Sequence, residues 1–259
     1  MPEPNFHAIR VERQDAVLSI ALNNPPLNII DLAMIEELLS AVRKATADPQ
    51  VEVLVLRGAG PRGFSAGVSV QDHMPERVCN LIPLFDEIFL RLARTDKITV
   101  AAVHGFCLGG GLELVTMCDL VVAAESAQFG QPEIKLGQFA PVGVILLPHL
   151  IGYRKAAEVL FTGGTFGPRQ AEAWGLVNRV VPEDELSGAV EELVHQILAQ
   201  SKAILRLTKL FLRRTNGLDF EGLLKESERF FFESIVRTQD SKEGIYAFLE
   251  KRVPRWNHA

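Results

Sequence analysis

Apolar residues fall at alternate positions in two early runs, Ile9-Arg10-Val11-Glu12 and Val17-Leu18-Ser19-Ile20-Ala21-Leu22, with polar Arg13 to Asp15 between them. A period of two puts every second side chain on one face, so the runs predict two strands joined by a turn. The period then lengthens. After Asp31, a residue suited to accept the unpaired amides of a first helical turn, Leu32, Ile35, Leu39 and Val42 share one helix face. Val51 to Leu56 is a strand pattern rich in β-branched residues. Val78, Leu81, Ile82, Phe85, Ile88, Phe89 and Leu92 form a helical stripe, and Ile98 to Val103 is again strand. Leu112 to Cys118 reads as helix and Leu120 to Ala124 as strand. Strands alternating with helices predict βαβ units, mostly parallel sheets and an α/β fold. Beyond residue 195 the strand patterns stop, and Ile204 to Arg214, Phe220 to Arg237 and Glu243 to Arg252 all predict helices. The chain thus divides into a core over residues 1–195 and a helical subdomain over 196–259. Phe230, Phe231 and Phe232 exceed what one helix face buries, so they pack on their own core or meet another subunit.

Chemistry concentrates in two stretches. The first, His104-Gly105-Phe106-Cys107-Leu108-Gly109-Gly110-Gly111-Leu112-Glu113, leads from a strand pattern through glycines into a helix. Backbone N–H groups at a helix start lack intrahelical partners and carry the positive end of the helix dipole, so this is a preformed site for developing negative charge. Glycine allows a ligand to approach closely. Glu113 lies between apolar Leu112 and Leu114 in an almost uncharged helix, where a buried carboxylate is costly unless it has a task. The second stretch, Gln131-Pro132-Glu133, supplies another candidate proton-transfer group. Taken alone, a glutamate on a helix is usually a solvated charge, and Pro-Glu can be a simple turn.

The run from Val100 through Leu114 to Cys118-Asp119 resembles the signature of the crotonase (enoyl-CoA hydratase/isomerase) family. Further blocks follow in the same order as in that family: Pro26-Leu27-Asn28, Phe64-Ser65-Ala66-Gly67, Phe129 to Ile134, Gly175-Leu176-Val177-Asn178 and Ala247 to Arg252. The resemblance covers nearly the whole chain. It implies a spiral of ββα units with a C-terminal helical subdomain for oligomerisation, and a homotrimer or hexamer acting on an acyl-CoA. By the same resemblance Glu113 and Glu133 are the pair that holds the added water, and the amides of Ala66 and Gly110 form the oxyanion hole. Ala66, Gly67, Val68 and Ser69 would line the acyl-CoA, with Leu27 near its nucleotide. Phe248 and Lys251 fall where a C-terminal helix, often a neighbouring subunit's, reaches the CoA. The implied activity is hydration of an α,β-unsaturated acyl-CoA, with isomerisation or acyl-CoA hydrolysis as alternatives within the family. It needs no metal and no cofactor beyond the coenzyme A of the substrate.

Two departures bear on the acyl group. Ser69 stands where many relatives have Asp, and Ala140-Pro141-Val142-Gly143-Val144 replaces a glycine-rich turn. Together, the segments Ala66 to His73 and Phe139 to Val142 are more similar to the cyclohexa-1,5-dienecarbonyl-CoA hydratases, which implies a ring pocket shaped by residues 140–144. His73 is a candidate substrate contact, whereas His104 reads as structural.

Composition narrows the field further. With 259 residues, 47% of them apolar, the chain can bury a large core, and a net charge of −5 without a Lys/Arg-rich run gives no footprint for nucleic acid. That charge and the intact glutamate pair also disfavour a non-catalytic, RNA-binding scaffold. No span has the roughly 20 apolar residues of a membrane helix. Residues 1–15 carry Glu3, Glu12 and Asp15 and lack the pattern of a targeting segment. Three cysteines at no metal-like spacing suggest reduced thiols, so a cytoplasmic protein is expected. Gly58-Ala59-Gly60-Pro61-Arg62-Gly63 matches a dinucleotide fingerprint in letters, but Pro61 and Gly63 prevent the helix that must open there. Gly63-Phe64-Ser65-Ala66-Gly67 matches a nucleophile elbow, leaving a serine hydrolase using Ser65, with His149 or His195 as base, as a different mechanism.

Overall fold

The computed structural model describes residues 6–215, 217 and 219–256. The two early runs pair as predicted. Strands β1 (Ile9–Gln14) and β2 (Val17–Leu22) form an antiparallel hairpin with Gln14 opposite Val17, and Asp15 takes φ 51° in the tight turn. The Asp31 carboxylate accepts from the Met34 N–H at 2.9 Å and caps α1 (Leu32–Ala47), whose Ile35, Leu39 and Val42 are buried. Leu32 stands at the rim of that core.

A repeated unit follows. Strand β3 (Val53–Gly58) is followed by β4 (Gly63–Ser65) and helix α2 (Pro75–Arg94). Strand β5 (Ile98–Val103) is followed by β6 (Phe106–Leu108) and α3 (Gly110–Thr116). Strand β7 (Leu120–Ala124) is followed by β8 (Gln128–Gly130), a short 3-10 turn and α4 (Gly143–Ile151). Helix α5 (Tyr153–Thr162), β9 (Thr165–Phe166), α6 (Pro168–Trp174) and β10 (Arg179–Val181) complete the core. Among the described residues, β1-β2-β3-β5-β7-β10 form one sheet in that order and β4-β6-β8-β9 the other. The first strand of each unit joins the larger sheet in parallel and the second joins the smaller, which is the ββα spiral. The literal G-x-G-x-x-G sits at the corner between sheets. Gly63, with φ 146°, lets β4 pass where a side-chain Cβ would lie 2.2 Å from the Phe106 nitrogen.

Helix α7 (Leu186–Leu198) covers the outer face of the larger sheet, packing Leu186, Val190 and Val194 on Val55, Val100 and Val122. Helices α8 (Lys202–Thr215), α9 (Phe220–Phe230) and α10 (Gln239–Leu249) follow. Buried Lys209 ties α8 to the core by donating to the Lys97 carbonyl and to Asp119 at 2.5 Å. Arg213 donates to the Leu92, Ala93 and Thr95 carbonyls, the negative end of the α2 dipole. A π-helical turn at Phe231–Ile235 splits the aromatic triplet. Phe231 is buried against Phe139 and Phe232, so the cluster packs in part on its own core, whereas Phe230, edge-on to Phe139, stays 55% exposed. No helix among the described residues is long and apolar enough to cross a membrane.

Candidate active site

Strand β6 delivers the chain to Gly109, which takes φ 52° and donates its N–H to the Gly130 carbonyl at 2.9 Å. A Cβ on Gly109 would sit 2.8 Å from Oε1 of Glu133, so the absent side chain is what admits that carboxylate. Gly110 is the first residue of α3, and its N–H has no intrahelical acceptor. One turn on, Glu113 is 4% exposed, and its Oε1 accepts from the Val142 N–H at 2.8 Å and the Gly143 N–H at 2.9 Å. The helix start that holds this carboxylate is therefore that of α4. Residues 140–144, expected to shape a ring pocket, hold the Glu113 carboxylate, and Pro141 and Val142 also line the cavity beside it.

Glu133 comes from the 3-10 turn Pro132–Leu136. Buried Gln131, with its amide nitrogen turned toward the acceptors around it, donates to the Gly109 carbonyl at 3.2 Å and to both Glu133 oxygens at 3.1 Å. Burial lifts both glutamates above the usual carboxylate range. Glu113 is pulled back by its two backbone hydrogen bonds, while Glu133 is pushed further by the Glu113 charge. The two therefore titrate as a pair, and the proton they hold near neutrality rests mainly on Glu133.

Both carboxylates open on a cavity of about 340 Å³. Its walls are mostly apolar and include Phe85 and Phe89 from α2, Phe139, Phe231, and Phe248 from α10 of the same chain, with His73, Lys135 and Arg252 among the polar lining. Ala66, Gly67, Val68, Gly109 and Gly110 also line it.

Comparison with known proteins gives one consistent answer. Residues 12–259 match the family model described as enoyl-CoA hydratase/isomerase. A probable enoyl-CoA hydratase of Mycobacterium bovis is 36% identical, with 98% of this chain and 99% of that protein aligned. The cyclohexa-1,5-dienecarbonyl-CoA hydratase of Thauera aromatica is 32% identical over 96% of this chain and 95% of its own. An enoyl-CoA hydratase crystal structure from Mycobacterium avium subsp. paratuberculosis superposes with a TM-score of 0.87 at 26% identity, covering 97% of this chain and 99% of that one. The chain belongs to the enoyl-CoA hydratase/isomerase family.

Within this family member, the cavity brings together Glu113, Glu133, Ala66, Gly67, Val68, Gly110 and Phe248. Leu27, Ser69 and Lys251 lie outside its lining. The Leu27 carbonyl accepts the Ala66 N–H at 3.0 Å, so that amide is already engaged and a ligand oxygen would share or displace Leu27. Ser69 presents its carbonyl to Nδ1 of His73 at 2.9 Å, and His73 lines the cavity. Burial depresses the His73 pKa, so its Nδ1–H donates and its Nε2 is left as an acceptor. His104 contacts the Gly60 carbonyl at 2.8 Å, a structural task.

Ser65 is fully buried and its hydroxyl is spent on structure. It donates to the Asn28 carbonyl at 2.7 Å and accepts the Gly67 N–H at 3.0 Å. The serine hydrolase alternative fails on this geometry, because His149 and His195 are both exposed and no helix starts directly after Ser65, the next being a 3-10 turn from Val70. Sequence reasoning quoted Gln131 in its motif without a role and did not find Asp86. Asp86 is four residues after Ile82 and three before Phe89, which places it on the inner side of the α2 stripe, and that offset is the signal for its burial.

Proposed function

We propose that this protein adds water reversibly across the α,β double bond of an enoyl-CoA, with Glu113 and Glu133 as its acid/base pair. The observation that carries the reading is the convergence of two carboxylates, buried Glu113 and partly buried Glu133, brought by different elements, on one cavity that the Gly110 backbone at the start of α3 also lines. The Gly110 N–H, joined by Ala66 in a bond shared with Leu27, polarises the thioester carbonyl and then holds the enolate oxygen. Glu113, ionised on the α4 amides, takes a proton from water as the water oxygen bonds to the β carbon. The displaced electron pair moves onto the thioester oxygen. Collapse of the enolate draws the Glu133 proton to the α carbon, and exchange between the two carboxyls restores the starting state. The sequence as written calls on no metal or redox group, and coenzyme A enters only as part of the substrate.

Replacing Glu113 or Glu133 by Gln should lower kcat by about 10²-fold or more while acyl-CoA binding persists, measured by enoyl absorbance and calorimetry. Isomerisation within the family commonly works with one glutamate, so a Glu113→Gln variant that still converts a 3-enoyl-CoA would favour that activity instead. Release of free CoA, read with a thiol reagent, would favour hydrolysis.

A cyclic dienoyl-CoA is the second reading of the acyl group. The five phenylalanines that line the cavity and the likeness to the Thauera aromatica hydratase support it. Crotonyl-CoA and cyclohexa-1,5-dienecarbonyl-CoA offered side by side decide it, with faster hydration of the ring expected and faster hydration of crotonyl-CoA removing this refinement. We also propose a homotrimeric or hexameric assembly, supported by the exposed apolar surface of the C-terminal helices.

A further inference from the structure

Asp86 has no part in the chemistry above, yet it lines the same cavity and is only 6% exposed. Its Oδ2 has no hydrogen-bond partner. Buried polar atoms are nearly always paired, and an orphan on a cavity lining marks a place where a ligand can supply the partner; Gln138 Oε1 is a second such atom on this cavity. Around it, Phe85 and Phe89 are neighbours on α2, Glu113 faces it from α3 and Glu228 from α9. Phe85, the residue before it, packs over Gly110.

We propose that Asp86 determines substrate specificity by hydrogen bonding a hydroxyl group carried on the acyl chain beyond the β carbon. This rests on the reading of the cavity as an acyl-CoA site. Burial, with the Glu228 and Glu113 charges, pushes the Asp86 pKa up to about 8, which favours the neutral carboxylic acid. A neutral carboxyl offers one donor and acceptor capacity at once, which is the complement of a hydroxyl. An unsubstituted hydrocarbon chain would fill the same space and leave the orphan oxygen unpaired, and a site built for a hydroxyl discriminates against the analogue lacking it.

The test uses saturated esters, so that it does not depend on turnover. Hexanoyl-CoA, 5-hydroxyhexanoyl-CoA and 6-hydroxyhexanoyl-CoA are titrated calorimetrically against the wild type, Asp86→Leu and Asp86→Asn. The wild type should bind at least one hydroxy ester about tenfold or more tightly than hexanoyl-CoA. The ratio should fall to about one in Asp86→Leu and be partly kept by Asp86→Asn, which can still donate and accept. No preference in the wild type, failure to bind any of the esters, or a preference that survives in a folded Asp86→Leu protein would overturn the assignment. Selective binding of a hydroxy ester with no hydration of any enoyl-CoA would instead remove the hydratase reading and leave the Asp86 assignment standing.

Discussion

Three carboxyl groups, Glu113, Glu133 and Asp86, share one cavity wall, and burial raises the proton affinity of each. For such a group the folded state binds its proton more tightly than the unfolded chain does. Its contribution to stability is therefore complete below the unfolded pKa and is lost as pH rises through the folded one. For Asp86, faced by Glu113 and Glu228, that window runs from 3.8 to about 8. Relative to Asp86→Asn, the wild type should lose up to about 1.4 kcal/mol of stability per pH unit between pH 5 and 8, read from urea unfolding at several pH values. A constant difference across that range would mean Asp86 is not held protonated. At this scale Glu113 and Glu133 were legible because each stands in a distinctive local pattern, an acid in an uncharged glycine-led helix and an acid after Gln-Pro. Asp86 was less so: its offset from Ile82 and Phe89 places it on the inner side of α2, but that the helix there faces a cavity with Glu113 and Glu228 beside it depends on contacts between residues far apart in sequence.

Among the elements, the long ones announced themselves. The hairpin, α1, α2 and the β5 and β7 strands have enough residues for a period to show, and the Asp31 cap fixed where α1 begins. The smaller sheet did not, because β4, β6, β8 and β9 have two or three residues each, too few to alternate. The role of residues 140–144 was hidden for a related reason: the backbone N–H groups that hold Glu113 have no side-chain signature. Helix α10 also does more than its pattern suggests. It presses on the turn that carries Glu133, with Gln138 donating to Ser241 Oγ at 2.5 Å, and a Cβ on Gly244 would lie 2.1 Å from the Leu136 carbonyl. Gly244→Val should therefore lower both Tm and kcat, by scanning calorimetry and enoyl absorbance, because α10 cannot lift without moving Glu133. A variant with normal kcat would show that the turn holds its place without α10.

For the whole molecule, the spiral places the second strand of each unit in the smaller sheet, so β4, β6 and β8 deliver Ala66, Gly110 and Glu133 to one edge. The C-terminal helices then close the cavity with Phe248 of the same chain. Ile204, Leu207 and Leu210 remain 61%, 60% and 48% exposed on α8, a surface suited to burial against other copies. Light scattering should give about three times the 28.6 kDa chain mass or a multiple of it, and a Leu207→Glu, Leu210→Glu double variant should shift the protein toward monomer. A monomeric wild type would remove the assembly proposal. The overall class was legible because alternation of strands with helices permits few topologies, whereas the division of strands between two sheets depends on corner glycines such as Gly63. The most direct test of the account is hydration of crotonyl-CoA by the wild type, Glu113→Gln and Glu133→Gln, followed by loss of enoyl absorbance and product mass. The wild type should add one water, and each folded, ester-binding variant should lose about 10²-fold or more; turnover near the wild-type level in either variant would rule out the two-glutamate mechanism.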